Sequence, residues 1–138
     1  MPGKYFLDSN IIVYAHDIDK DRRQIAEQDI LNGIVSGNAV ISTQVLSEFF
    51  VTVTQKIKEP LSLPAAEAEV VLLSRLEVVP LDVLLVRTAI QLQRRHRLSY
   101  WDSMILASAM KGGCSEIHSE DFVHGRRYEG VIVKNIFL

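Results

Sequence analysis

Cysteine is almost missing from this sequence. The chain holds one, Cys114, so no internal disulfide can form. No Cys/His spacing reads as a zinc site either. A reducing, cytoplasmic location is therefore expected. Charge of one sign is also missing: 15 Lys and Arg stand against 17 Asp and Glu, a formal net charge of −2. That balance argues against a dedicated nucleic-acid coat protein. It leaves room for an enzyme acting on phosphodiesters, because bound metal ions can supply positive charge at such a site. Long hydrophobic runs are absent. The apolar stretches are short and broken by charge, so no bilayer span and no membrane partner are expected. The opening residues, Met1 to Asn10, pass from MPGKYFL straight into polar residues and predict no secretory leader. There is no internal repeat, low-complexity tract or Gly/Ser linker, and residues 1–138 are expected to form a single domain.

What is present suffices for a core. The chain is 48% hydrophobic and 23% charged, far from a disordered composition. A chain of this length buries roughly 68–70% of its unfolded surface without help from disulfides.

Short apolar runs alternate with helical patterns, which predicts an α/β domain with a mainly parallel sheet of about five strands. Tyr5-Phe6-Leu7 reads as the first strand, Ala39-Val40-Ile41 as the second and Val78-Val79-Pro80-Leu81 as the third. The proline places the third at an edge. Ser115 to His118 and Val131 to Val133 complete the set. Helices are expected from Ile11 to Ala15 and from about Arg22 to Ser36. A third runs from Thr43 to Lys56, where Val45, Leu46, Phe49, Phe50, Val53 and Ile57 fall at helical spacing. A fourth covers Ala65 to Leu76 with Pro64 in its first turn. Asp82 caps a fifth that reaches about Arg97, and Ser99 opens a sixth that Gly112-Gly113 ends.

Four acids stand out on this map. Asp8 ends the first strand and Asp121 follows the fourth. Ligands of open parallel sheets bind beyond the carboxyl ends of the strands, at a switch point. Glu48 and Asp102 each flank the apolar stripe of a helix, so both can project toward that cleft. Gathering four carboxylates is costly. Two unit charges at 4 Å repel by roughly 1–4 kcal/mol in water-like to surface-like surroundings. Such a group takes up protons or binds a cation, and all-oxygen ligands favour Mg²⁺ or Mn²⁺. A cation of that kind polarises a phosphate and acidifies a bound water.

Local motifs sharpen the picture. Phe6-Leu7-Asp8-Ser9-Asn10, Val45-Leu46-Ser47-Glu48-Phe49, the run Leu98 to Ala109 (LSYWDSMILASA) and Ser119-Glu120-Asp121-Phe122 occur in that order along nearly the whole chain. In this the sequence resembles the PIN-domain nucleases, and in pattern the toxin subunits of VapBC-type toxin–antitoxin pairs. The resemblance implies a PIN-like three-layer α/β/α domain and an Mg²⁺- or Mn²⁺-dependent endoribonuclease. It also implies a homodimer, an RNA substrate and a small antitoxin whose tail covers the acidic site. By resemblance, Asp8 and Asp102 coordinate a shared metal and Glu48 ligates it or holds its water. Asp121 completes a weaker second site, with Glu120 as its rival. Ser9 and Asn10 orient the first acid or a metal-bound water. Arg126 and Arg127, just after the fourth acid, are candidates to hold RNA phosphates. The helices from Ala65 to Leu76 and Thr43 to Ile57 are candidates to form the antitoxin groove.

Each residue also has a plainer reading. Asp8 fits a helix cap, and Ser99-x-x-Asp102 fits a capping box. Glu48 fits a solvated helix position and Asp121 a turn. His16, His96, His118 and His124 show no ligand spacing, and Trp101 reads as core. Two other functions compete: a non-catalytic module that keeps the fold, and a phospho-acceptor receiver-like protein using Asp8 and Asp82. In the second, two helices after the first strand count against the layout. A dehalogenase-like phosphatase would want a second Asp where Asn10 stands.

Overall fold

Every helix start carries the side-chain cap that its sequence offers. A computed structural model of the chain describes residues 3–138, so the first two residues of the expected domain lie outside the described residues. Strand β1 (Lys4–Leu7) leads into α1 (Ser9–Tyr14), capped by Asp8. Asp19 accepts from the amides of Asp21 and Arg22 and starts α2 (Lys20–Ser36), two residues before the expected Arg22. Then come β2 (Ala39–Ser42) and α3 (Thr43–Gln55), capped by Ser42, and α4 (Leu63–Leu73), capped by Ser62 with Pro64 in its first turn. After β3 (Glu77–Val79), Asp82 caps α5 (Val83–His96) and Ser99 caps α6 (Tyr100–Lys111). The chain closes with β4 (Cys114–His118), β5 (Arg127–Tyr128) and β6 (Val131–Lys134).

The sheet order is β3-β2-β1-β4-β6-β5. Strands β3, β2, β1, β4 and β6 run parallel, and β3 sits at an edge as its proline-terminated run predicts. The sixth strand corrects the expected five. Only two residues long, β5 is too short to show a period of two. It pairs antiparallel with β6 through Glu129-Gly130, both at positive φ (51° and 84°), the backbone of a tight hairpin turn.

Neighbouring residues of β2 reveal the layers. Ala39 faces Gly33 of α2, whereas Val40 faces Gly112 at the end of α6. Successive strand residues point to opposite faces, so α2 and α6 cover opposite sides of the sheet. On one side α1 packs between α2 and α3, with α4 against α3; on the other α6 lies on β2, β4 and β6, with α5 against it. Helix α6 is buried from Ser103 through Ala109.

His118 departs from its default reading as a surface or half-buried residue. It is buried at the end of β4, with Nδ1 2.7 Å from Asp29 Oδ2 and Nε2 3.0 Å from Glu116 Oε1. Its ring stacks on Tyr5 at 4.4 Å. Burial works to lower its pKa, but hydrogen bonds and charge from Asp29, then Glu116, leave it raised. The cluster ties α2 to the centre of the sheet.

Gly33 is the tight point of that same packing. A Cβ there would lie 2.3 Å from Ala39 Cβ and 2.9 Å from the Tyr5 hydroxyl. Gly33→Ala should destabilise the fold by about 1–3 kcal/mol through overpacking, outweighing a helix-propensity gain of at most about 1 kcal/mol. A lower urea midpoint than wild type is the expected result; an unchanged or higher one would contradict this packing.

Candidate active site

The chain turns both ways from β1: β2 and β3 extend the sheet on one side, β4 and β6 on the other. The carboxyl ends of β1 and β4 therefore form the switch point, where open sheets leave a crevice. Asp8 follows β1 directly, and Ser119, Glu120 and Asp121 follow β4. The Asp8 amide donates to the His118 carbonyl at 3.0 Å, so the two strand ends are locked in register.

Asp8 is 3% exposed. Its Oδ1 accepts from the Ser9 amide at 2.7 Å, and its Oδ2 accepts from the Ser119 hydroxyl at 2.7 Å. Asn10 Nδ2 stands 3.5 Å from that second oxygen and 3.3 Å from Ser119 Oγ. Burial pushes the Asp8 carboxyl up to about 7; the Ser119 and Ser9 hydrogen bonds pull against it, and the charges of Asp121 and Glu48 add to the rise. Asp8 thus caps α1 and occupies the crevice at once. The cap uses Oδ1 and is compatible with a further role for the same carboxyl.

The other acids share its field. Half-buried on α3, Glu48 is raised by burial first, held back by Gln44 and Ser9, and raised further by Asp121 and Asp102. Asp102, in the first turn of α6, is raised by burial, lowered by Ser99, and raised by Asp121. Asp121 is exposed, and its amide donates to Ser119 Oγ at 3.0 Å. Glu120 points elsewhere. It accepts from the Tyr14 hydroxyl and from Arg22 Nη1 at 3.1 Å. Of the two rivals, Asp121 is the one whose charge reaches Asp8, Glu48 and Asp102.

Two residues were missed by reasoning on acids alone. Ser119 binds Asp8, Asn10 and Asp121 together, although it lay inside the fourth motif. Gln44 is buried and bridges α3 to α6, its Nε2 reaching Glu48 Oε2 at 3.5 Å and the Trp101 carbonyl at 3.4 Å. Its Oε1 has no partner among the described residues. Its place one turn before Glu48 was the available signal.

Three other expectations change. Trp101 is 54% exposed and not core, because the buried face of α6 begins at Ser103. Arg127 lies in β5, separated from β1 by β4 and β6, and the Arg126 guanidinium sits 5.2 Å over the Tyr128 ring. Asp82 caps α5 through the Leu85 amide and follows the edge strand β3, with β2 between it and β1, which sets it apart from Asp8 and counts against the receiver-like reading.

The donor set is all oxygen and repels itself, which suits a hard divalent cation. Among the described residues no three acids or histidines converge closely enough to hold an ion by themselves. A cation with part of its shell left to water fits this spacing better than one in a closed protein cage.

The family model of the PIN domain matches residues 5–129. The chain belongs to the PIN domain family. Its fold is similar to that of VapC20 from Mycobacterium tuberculosis, a toxin that cleaves the sarcin–ricin loop: TM-score 0.63, 19% identity, 83% of this chain and 87% of that one. DNA-bound VapBC from Salmonella typhimurium gives 0.68 and 21% over 97% and 98% of the two chains. VapBC2 from Rickettsia felis, bound to a promoter fragment, gives 0.67 and 20% over 95% and 97%. At these identities the likeness is one of fold. No curated protein matches the sequence.

The Asp8 carboxyl makes stability depend on pH. Below about pH 4 it is protonated folded and unfolded, and burial costs little. Between there and about pH 7 the unfolded chain has released the proton and the folded chain keeps it, so the folded state loses ground as pH rises. Asp8→Asn should therefore gain about 3–4 kcal/mol relative to wild type between pH 4 and pH 8 in metal-free buffer. Urea unfolding across that range checks it; a difference that does not vary with pH would refute the assignment.

Proposed function

We propose that this PIN domain protein is an Mg²⁺- or Mn²⁺-dependent endoribonuclease, acting in the cytoplasm as the homodimeric toxin of a type II toxin–antitoxin pair. The observation that carries the reading is the buried Asp8 carboxyl, raised to about 7 and lying in the field of Asp121 and Glu48 at the switch point of the sheet. Asp8, Glu48, Asp102 and Asp121 would hold the cation. Bound there, it supplies positive charge toward a scissile phosphate and lowers the pKa of a water. The protein's own part is positioning. Ser9 and Ser119 fix both Asp8 oxygens, and Asn10, which also accepts from the Glu120 amide at 3.4 Å, stiffens the strand-end loop. Gln44 sets Glu48 against the start of α6. Burial raises the proton affinity of Glu48 and Asp102 above that of a free carboxylate, and a cation bound between them would offset that rise.

An antitoxin partner is supported by the similar folds found in VapBC and FitAB assemblies. A hollow of about 560 Å³ is a candidate groove for part of its tail, although none of the four acids lines it. Leu72 and Leu73 of α4 line it on one side and Ile30, Leu31 and Ile34 of α2 on the other; of the two candidate groove helices it takes in α4 alone. No helix among the described residues is long and apolar enough to cross a membrane.

Purified protein should cut RNA internally with Mg²⁺ or Mn²⁺ and stop with EDTA. Asp8→Asn and Asp102→Asn should each lower the rate by at least about 100-fold, the scale of losing a major electrostatic contributor. Gel-resolved cleavage of total RNA measures this. Full activity in a folded Asp8→Asn protein would end the metal-site reading; no cleavage under any divalent ion would favour a non-catalytic binding module.

A further inference from the structure

Two hollows meet at the middle of α3. One, of about 280 Å³, lies between Ser47, Glu48, Leu81 and Trp101. The other, of about 350 Å³, runs from Ser9 and the same Ser47 and Glu48 past Thr52 to Lys56. They share Ser47 and one of the proposed acids, Glu48, and leave it in different directions. One ends on an exposed aromatic plate, the other on an exposed cation.

The plate is fixed in place. Tyr100 packs against the Trp101 indole at 5.0 Å and 72°, and the Trp101 carbonyl accepts from Gln44. Trp101 lines the same hollow as Glu48, so a group stacked on its indole lies on the Glu48 side of the acids. A tryptophan 54% exposed leaves most of its apolar ring in water, which stacking on a base would relieve. At the other end, the rise of α3 from Glu48 to Lys56 is about 12 Å.

We propose that the substrate strand lies across α3 with an unpaired base stacked on Trp101 and a phosphate, on the far side of the acids, held by Lys56. This rests on the ribonuclease reading and adds what it leaves open: which part of the RNA is gripped, and by which residues. Stacking on a side chain requires a base free of its duplex neighbours, so the subsite selects single strands and loops over continuous helix. It also moves the phosphate contact away from Arg126 and Arg127, to a cation that lines a hollow shared with Glu48.

The chain has one tryptophan, so its intrinsic fluorescence reports on Trp101 alone. The test titrates the full-length protein with a single-stranded RNA decamer and with a duplex of the same sequence. Ca²⁺ replaces Mg²⁺, and strand integrity is checked after each titration. The single strand should quench the emission and the duplex should not. Trp101→Ala should weaken binding, followed by anisotropy of a labelled decamer, by roughly 5- to 150-fold, while Trp101→Phe stays close to wild type. Lys56→Ala should lower the slope of log affinity against log salt by about 0.7. Decamer binding without quenching, or equal quenching by the duplex, overturns the base subsite and leaves the nuclease reading standing. Emission that shifts with protein concentration before RNA is added assigns the Trp101 face to self-association and also overturns it. A protein that neither binds nor cuts any RNA fails the ribonuclease reading itself.

Discussion

The acidic end of this molecule depends on one carboxylate held below the surface. Asp8 is where β1 stops, where α1 starts and where β4 is pinned, through its amide to the His118 carbonyl and its Oδ2 to the Ser119 hydroxyl. A group with so many structural bonds cannot turn away from its neighbours' charge. The fold therefore fixes an ionisable group in a place where ionisation is costly, and Ser9 and Ser119 offset that cost only in part.

That cost orders the surroundings. Glu48 and Asp102 come from helices on opposite sides of the sheet, α3 and α6, and Gln44 is the polar link between those helices at the level of the acids. The unpaired Gln44 Oε1 is a second local deficit in the same region. Buried polar groups left unpaired cost about 1–3 kcal/mol each. Both deficits lie at the same end of the sheet as the four acids.

Much of this was legible in the residues. The caps Asp82 and Ser99, the edge position announced by Pro80 and the central stripe Val45, Phe49 and Val53 all depend on neighbours within a turn or two, and sequence carries such information directly. The acids were readable because each sits in a motif whose flanks fix its element. What escaped depends on distant partners. His118 looked like an ordinary strand-end histidine because Asp29, its closest partner, is 89 residues away. Trp101 was read as core from its place in a helical repeat. The buried face of α6 starts two residues later, and the first turn projects past the sheet toward the crevice. β5 was hidden for a simpler reason: two residues cannot show a period.

The separation of Glu120 from Asp121 explains why the acids remain an unsatisfied group. Two adjacent carboxylates follow β4, and Arg22 lies beside the first of them, its guanidinium also 4.9 Å from the Tyr14 ring and 5.3 Å from the Phe137 ring. Arg22 pairs with Glu120, and Tyr14 donates to the same carboxylate. Glu120 is thus neutralised and becomes part of the wall that α1 and α2 build against the strand end. Asp121 is left with an amide bond to Ser119 and no cationic partner among the described residues. Its charge falls instead on Asp8, Glu48 and Asp102, raising the proton affinity of all three. Had Arg22 reached Asp121, the cluster would carry less charge and have less use for an external cation. By pairing Arg22 with the neighbouring residue, the fold leaves negative charge at the crevice that protons or a bound cation would relieve.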